Sequence, residues 1–220
     1  MFLFREQYLA KMKLPEFPEF GSVLDHGLLD MKNKCFEGSE PTCCLVRMYI
    51  DDALANSMQA PTNLAANAPD VILRYVQRLT GVGERDTVMS VAKQAAKEML
   101  SRDFVPQPLS RASLIEKLGE IFKNQPVGEA LDRLVDGGIM ESDFVAGSTH
   151  LSYVHDPVAE FLASIKVCED YKGAGAARWE SYVATVKEAG ARASGFIAAL
   201  QVCLASYRKP LQLPDFMQIA

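Results

Sequence analysis

The sequence predicts a mainly α fold: a helical bundle with an embedded winged helix (a helix-turn-helix plus a short β-hairpin) and a C-terminal helical segment. Two observations carry this prediction. Through most of the chain, apolar residues recur at i, i+3, i+4 and i+7, which is the spacing of an amphipathic helix. Between Leu114 and His155 the pattern changes to two short helices and two short strand-like runs, which is the outline of a winged helix.

Three helices are predicted before the winged helix. The apolar stripe of the first consists of Val46, Tyr49, Ile50, Ala53 and Leu54. The second follows "NAPD", where Asn67 can cap the helix and Pro69 lies in its first turn. The third carries apolar residues from Val88 to Met99. It should end near Arg102, because the prolines that follow at 106 and 108 cannot continue a helix.

The winged helix is predicted from two helices and a hairpin. Leu114, Ile115, Leu118, Ile121 and Phe122 line its first helix. After the turn "KNQPVG", Pro126 is placed to open the second helix, and the pair Gly137-Gly138 ends it. The runs "GIMESDF" and "THLSYVH" read as strands joined by a turn at 146–148.

Three further helices are predicted after His155. Asp156 can cap the first of them, with Pro157 at its first helical position. The second contains Trp179, and the third is lined by Phe196, Ile197, Leu200 and Leu204. These elements divide the chain into an N-terminal helical fragment at 1–38, a helical domain at 39–104, a winged-helix domain at 105–155 and a C-terminal helical domain at 156–220.

Composition narrows the class of protein. The net charge of −5 and the pI of about 5.3 disfavour a general affinity for nucleic acid or anionic lipid. No apolar run approaches the roughly 20 residues of a membrane span, and the N-terminus does not read as a signal peptide. The five cysteines are an odd set without a C-x-x-C pair, so zinc binding and a disulfide framework are not expected. We therefore expect a cytoplasmic protein with reduced thiols.

The motifs of catalysis and of DNA binding are missing. There is no G-x-x-x-x-G-K-S/T phosphate loop and no G-x-G-x-x-G turn, and the glycines of "TGVGERD" join two helices. The three histidines lack H-E-x-x-H spacing, so no catalytic metal is expected. Residues 127–143 carry five acids and one base, Arg133, where phosphate contact would need lysine and arginine. On its own the chain is predicted to be neither an enzyme nor a DNA-binding protein.

Three stretches resemble the C-terminal part of NACHT-type STAND ATPases, the signal-transduction ATPases that include inflammasome receptors and bacterial antiphage and regulatory proteins. They are "SEPTCCLVRMYIDDAL" at 39–54, "APTNLAANAPDVILRYVQRLT" at 60–80 and "YVHDPVAEFLASIKVCED" at 153–170. The last is the most specific, since it is similar to the helix that follows the family's winged domain. The resemblance covers residues 39–207, and the family's phosphate loop, acidic magnesium strand and sensor arginine are absent from this sequence.

The resemblance implies a role for two residues. Pro41 matches the proline that packs beside adenine, and His155, in Val154-His155-Asp156, matches the histidine that contacts the nucleotide phosphates in the resting state. It implies no cofactor for this chain alone, but ATP or ADP together with a P-loop ATPase domain in the same or a separate chain. An oligomeric assembly is one form that the family adopts. The chain is then expected to be a fragment or a separately made regulatory half of such a protein.

Two other functions are also compatible with the sequence. The chain could be a winged-helix transcriptional regulator, which a basic second helix would have favoured, or a helical protein–protein scaffold without a nucleotide connection. The triplet His-Asp-Pro is also a good helix start whatever His155 does. If the STAND relationship holds, His155 should face outward at the joint between the winged domain and the next helix, towards the side where an ATPase domain would dock.

Overall fold

The computed structural model describes residues 29, 43–57, 67–81, 83 and 86–211 of the 220. Within these residues it contains eight α-helices and one three-stranded antiparallel sheet, so the predicted mainly α fold with a short hairpin is confirmed. The chain forms two compact units, Met1–Val71 and Ile72–Ala220. The four-domain division drawn from the sequence stays a prediction.

The first unit contains helix α1 (Cys43–Ser57) and the start of helix α2 (Ala68–Thr80). Helix α1 buries the apolar side chains Leu45, Val46, Met48, Tyr49 and Ile50. The predicted cap of α2 is confirmed, because the Asn67 side-chain oxygen accepts a hydrogen bond of 2.9 Å from the backbone N–H of Asp70. This bond satisfies one of the helix-initial N–H groups that have no partner within the helix.

The helical framework of the second unit is built around one buried helix. Helix α6 (Asp156–Asp170) packs against helix α3 (Thr87–Met99) and helix α8 (Ser194–Leu211), and helix α7 (Ala176–Glu188) with the short 3₁₀ helix Gly190–Ala193 leads into α8. Helix α6 buries apolar side chains along most of its length because it has neighbours on more than one side. Its position makes it the structural centre of this unit.

The winged helix lies between α3 and α6 in the sequence. Strand β1 (Leu109–Ser110) leads into helix α4 (Arg111–Ile121) and helix α5 (Val127–Asp136), and strands β2 (Met140–Val145) and β3 (Ser148–Tyr153) form the wing. The strand order is β1-β3-β2, and both pairings are antiparallel. Pro126 and the two glycines at 137 and 138 flank α5 as predicted.

The wing turns over two residues. Ala146 and Gly147 both have positive φ, at 50° and 83°, and the strands close on the pair Val145 and Ser148. Two positive φ values in a two-residue loop are typical of a type I′ turn, whose twist matches that of the strands. The predicted three-residue turn is therefore one residue too long, because Ser148 already belongs to β3.

Three details of the sequence prediction are wrong. Helix α3 ends at Met99 rather than near Arg102. Ile121, which was assigned to the core stripe of α4, is 51% exposed; the buried residues of this helix are Leu114 and Leu118. Asp156 is not a cap: it is the first residue of α6, and His155 holds the N-cap position without a side-chain hydrogen bond.

Candidate functional site

The site suggested by the sequence is the joint between β3 and α6. Strand β3 is fixed immediately before the joint, because the buried Tyr153 hydroxyl donates a 2.5 Å hydrogen bond to the carbonyl oxygen of Ala92 on α3. The backbone N–H of Val154 then donates to the carbonyl oxygen of Ile139 at 3.1 Å, which extends the ladder with the β2 strand by one step. His155 follows directly, so its backbone is held on one side by the wing and on the other by α6.

His155 itself is an extended residue at a helix start. Its φ and ψ are −133° and 117°, and its carbonyl oxygen accepts hydrogen bonds from the N–H groups of Val158 (3.0 Å) and Ala159 (3.4 Å). The imidazole is half-buried, and no hydrogen bond joins it to any residue that the structure describes. Its ring nitrogens can therefore donate to, or accept from, a group outside these residues.

The ionisable residues that follow His155 in the first two turns of α6 are acidic. The first two turns of α6 carry the exposed Asp156 and, four residues on, the half-buried Glu160, and they contain no lysine or arginine. Burial, with a smaller contribution from the nearby charge of Asp156, raises the pKa of Glu160 to about 7. The start of α6 therefore offers a ligand one imidazole beside two carboxyl groups.

The Glu160 carboxyl group also lies against the first turn of α8. A Cβ atom built on Gly195 would come within 2.6 Å of Glu160 Cδ, so the missing side chain of the glycine makes room for the carboxyl group. The sequence does not predict this contact. The i, i+4 spacing of Asp156 and Glu160 indicates that the two carboxyls share a helix face, but nothing local in the sequence indicates which helix covers Glu160.

Ion pairs hold the other end of α6 to α3. Lys93 Nζ lies 2.6 Å from Glu169 Oε1, and Lys97 Nζ lies 2.6 Å from Asp170 Oδ2. Lys166, one turn before Asp170, pairs with the same carboxylate. Burial alone would raise the pKa of Asp170, but the hydrogen bonds from Lys166 and Lys97 outweigh this effect and hold the pKa below its ordinary value. Helix α6 is thus bound to α3 by charge at its C-terminal end.

An aromatic cluster near α7 packs around the buried ring of Trp179. Tyr171, Trp179 and Tyr182 have ring centroids 4.8 Å to 6.3 Å apart, which is contact distance. The indole N–H of Trp179 is buried without a hydrogen-bond partner among the described residues. Phe104 joins the cluster from the loop after α3, with its ring stacked on Phe196 at 5.4 Å. The cluster therefore closes the core between α7 and α8.

Of the two residues singled out by the sequence, the structure locates one. His155 lies at the joint between β3 and α6, while Pro41 lies outside the described residues. None of the three cysteines whose side chains the structure describes forms a disulfide: Cys168 and Cys203 are buried, and Cys44 is half-buried. Burial raises the pKa of Cys44, partly offset by the charge of Arg47.

No group of three or more His, Cys, Asp or Glu side chains in the described part of the chain is arranged to hold a metal ion. No single helix in the described ranges is long and apolar enough to cross a membrane; Ala176–Glu188 and Gly190–Tyr207 reach that length and composition only as a pair bent by 111°. Comparison with protein-family models, with curated proteins and with solved structures gives no match.

Proposed function

We propose that this chain is a non-catalytic regulatory and interaction part of a NACHT-type STAND NTPase, and that His155 helps to hold the nucleotide-bound resting state. The observation that carries the proposal is the state of His155: a half-buried imidazole on a fixed backbone, without a hydrogen bond to any described residue. A residue that only starts a helix has no need of an imidazole, since Ser, Thr, Asp and Asn cap helices far better.

The rigid backbone around His155 supports the proposal in a second way. A single side chain can discriminate between two states of a protein only if its position is well defined in one of them. The hydrogen bonds of Tyr153 and Val154 on one side, and those accepted by the His155 carbonyl on the other, provide this definition. A diphosphate presented by an ATPase domain would then receive one directed hydrogen bond from this chain.

The acidic neighbours explain why the chain would act only together with an ATPase domain. Asp156 and Glu160 oppose a free phosphate, so the lysine and magnesium that bind the nucleotide would have to belong to the partner domain. His155 would then add to a site that is already cationic. A hydrogen bond that forms in the resting state and is lost in the active state biases the equilibrium between them.

The proposal is tested on the chain joined to its ATPase domain. The DNA sequence upstream of the Met1 codon is read for a phosphate loop, and the region encoding it is expressed with the chain, fused or as a pair. Release of a fluorescent ADP analogue is then measured for the wild type, His155→Ala and His150→Ala, a matched control on the wing.

The expected result is selective. His155→Ala should weaken ADP retention by roughly 1.5–3 kcal/mol, the scale of a hydrogen bond to a charged group, which is about 10-fold to 150-fold faster release. His150→Ala should leave the release rate unchanged. Equal release from the wild type and His155→Ala, or the absence of any phosphate-loop domain that binds this chain, would remove the basis of the proposal.

The structure offers little support for the alternative of DNA binding. The acids of α5 are exposed, as are Glu141 and Asp143 of the wing, and Arg133 is the only base among residues 127–143. Arg111, at the start of α4, is engaged by Asp132, with Nη2 lying 2.8 Å from Oδ1. A helical scaffold without a nucleotide connection is the outcome that an inert His155→Ala variant would favour.

A further inference from the structure

Strand β2 is one edge of the sheet and is open to solvent for most of its length. The order β1-β3-β2 leaves one side of β2 without a neighbouring strand among the described residues. Met140 is buried, but residues 141–145 are all exposed, and Phe144 has 77% of its surface exposed. Natural proteins usually protect such an edge, because its free N–H and C=O groups can pair with another strand.

The register shows which backbone groups are free. In an antiparallel pair, residues alternate between those that exchange hydrogen bonds with the partner strand and those whose N–H and C=O point away from it. Val154 N–H bonds the Ile139 carbonyl, and Val145 and Ser148 are the pair that closes the hairpin. The odd-numbered residues 139–145 are therefore the ones that exchange hydrogen bonds with the partner strand. Ser142 and Phe144 therefore present their N–H and C=O groups on the open edge.

The side chains along this edge alternate in chemistry. Glu141 and Asp143 point to the outer face of the sheet, opposite Ser152 and His150 in the register. Glu141 accepts a 3.2 Å hydrogen bond from Ser152 Oγ, and Asp143 forms no ion pair with any described residue. Phe144 points to the other face, beyond the end of the core. The edge thus offers two carboxylates on one face and an exposed aromatic ring on the other.

We propose that the β2 edge binds an extended basic segment of a partner protein, which adds to the sheet as a fourth strand next to β2. The segment would alternate lysine or arginine with aliphatic or aromatic residues. Its bases would lie on the face of Glu141 and Asp143, and its apolar residues would cover Phe144. Backbone hydrogen bonds to Ser142 and Phe144 give the affinity, and the alternation gives the specificity. This interaction does not depend on the proposed role of His155.

Charge excludes a second copy of the chain as the favoured occupant. Two β2 strands related by a two-fold axis would bring the carboxylates Glu141 and Asp143 of both copies onto the same face. Like charges on neighbouring strands destabilise a sheet, whereas opposite charges stabilise it. If the neighbouring strand instead carries a base at each of the two positions that face Glu141 and Asp143, each carboxylate gains an opposite charge. Charge complementarity therefore favours a basic partner.

The experiment measures binding of a labelled seven-residue peptide in which lysine and valine alternate, by fluorescence anisotropy. Two control peptides are used: one with glutamate in place of lysine, and one with N-methylated valines that cannot donate backbone hydrogen bonds. The protein variants are Ser142→Pro, which removes an outward N–H without breaking the ladder to β3, and its matched control Ser142→Ala. A third variant, Asp143→Asn, removes one carboxylate.

The lysine peptide should bind, and the glutamate and N-methylated peptides should bind at least about tenfold more weakly. Ser142→Pro should weaken binding of the lysine peptide to a similar extent, whereas Ser142→Ala should leave it unchanged. Asp143→Asn should weaken binding less, and added salt should have the same effect because it screens the charges.

The proposal is overturned if the lysine peptide fails to bind at on the order of 1 mM, or if it binds equally well after N-methylation. It is also overturned if sedimentation shows that the chain dimerises through β2, so that Ser142→Pro makes it monomeric. Should Ser142→Pro unfold the wing, the N-methylated peptide still decides the outcome on the wild-type protein.

Discussion

Replacing Gly195 by alanine tests the contact between α6 and α8. The added Cβ would lie 2.6 Å from Glu160 Cδ and 2.7 Å from Oε2, far inside van der Waals contact. Because the obstacle is the end of a flexible side chain, the carboxyl group can move, but it must leave its half-buried position. We expect Gly195→Ala to lower the free energy of unfolding by about 1–2 kcal/mol, at the lower end of the cost of overpacking.

When Glu160 is absent, Gly195→Ala should raise the free energy of unfolding instead of lowering it. In a Glu160→Ala background the obstacle is removed, and alanine is a better helix former than glycine by up to about 1 kcal/mol. The two variants should therefore show a coupling energy of about 1–3 kcal/mol in a double-mutant cycle. The assay is urea unfolding followed by circular dichroism and by the fluorescence of Trp179, the single tryptophan. Equal effects of Gly195→Ala in both backgrounds would refute the contact.

The raised pKa of Glu160 adds a dependence on pH that the same variants can measure. In the folded state the carboxyl group titrates at about 7, against 4.5 for its ordinary value. Between these values the folded state holds the proton more strongly, so this group's contribution to stability falls as pH rises from about 4.5 to 7. After a discount for solvent exposure, the loss is about 1–2 kcal/mol. Glu160→Gln should abolish this part of the pH dependence, and a stability curve parallel to that of the wild type would contradict the reasoning.

Two further predictions concern the contacts of Tyr153 and Asp170, and a third concerns the acidic surface of the winged helix. Tyr153→Phe removes the hydroxyl that bonds a buried carbonyl of α3 and should cost about 1 kcal/mol in urea unfolding. Asp170→Asn weakens the pairing with Lys97 and Lys166 and should cost about 1 kcal/mol near neutral pH. Since the pKa of Asp170 is lowered, that cost should shrink as pH falls below its ordinary value of 3.8, which unfolding at a series of pH values will show. In gel-shift assays the chain should bind duplex DNA only weakly, with a dissociation constant of about 10⁻⁴ M or weaker; a salt-sensitive shift at nanomolar protein that Arg133→Ala abolishes would contradict this.

The sequence predicts features that depend on neighbouring residues. Asn67 caps α2 because its side chain accepts the N–H of Asp70, three residues on, and Pro126 precedes α5 because its ring restricts the backbone at the helix start. Gly137 was predicted only as a helix stop, yet the structure adds a reason that spacing does not contain. A Cβ there would lie 2.9 Å from the Leu79 carbonyl oxygen, so α2 and the end of α5 approach each other where only glycine fits.

The parts of the candidate site that the sequence did not predict all join distant positions. Lys97 and Asp170 are 73 residues apart, and Tyr153 and Ala92 are 61 apart. Charge patterns along a helix indicate which side chains are exposed, but they do not identify the helix that will face them. The wrong cap at Asp156 has a local cause. The sequence offers two starting points one residue apart, and the carbonyl of His155, rather than the side chain of Asp156, receives the first N–H groups of the helix.

The contacts around α3 determine how a change at His155 could be transmitted. Tyr153 ties the end of the wing to α3, and the pairs of Lys93 and Lys97 tie the far end of α6 to the same helix. His155 lies between these two attachments, so the wing cannot rotate against α6 at this joint without breaking a buried hydrogen bond. Under the proposed function, losing the contact between His155 and a nucleotide would therefore release the wing, α3 and α6 together as one body from the ATPase domain. Tyr153→Phe should then weaken ADP retention by loosening the backbone that positions His155, because the Tyr153 hydroxyl is buried and bonded to Ala92.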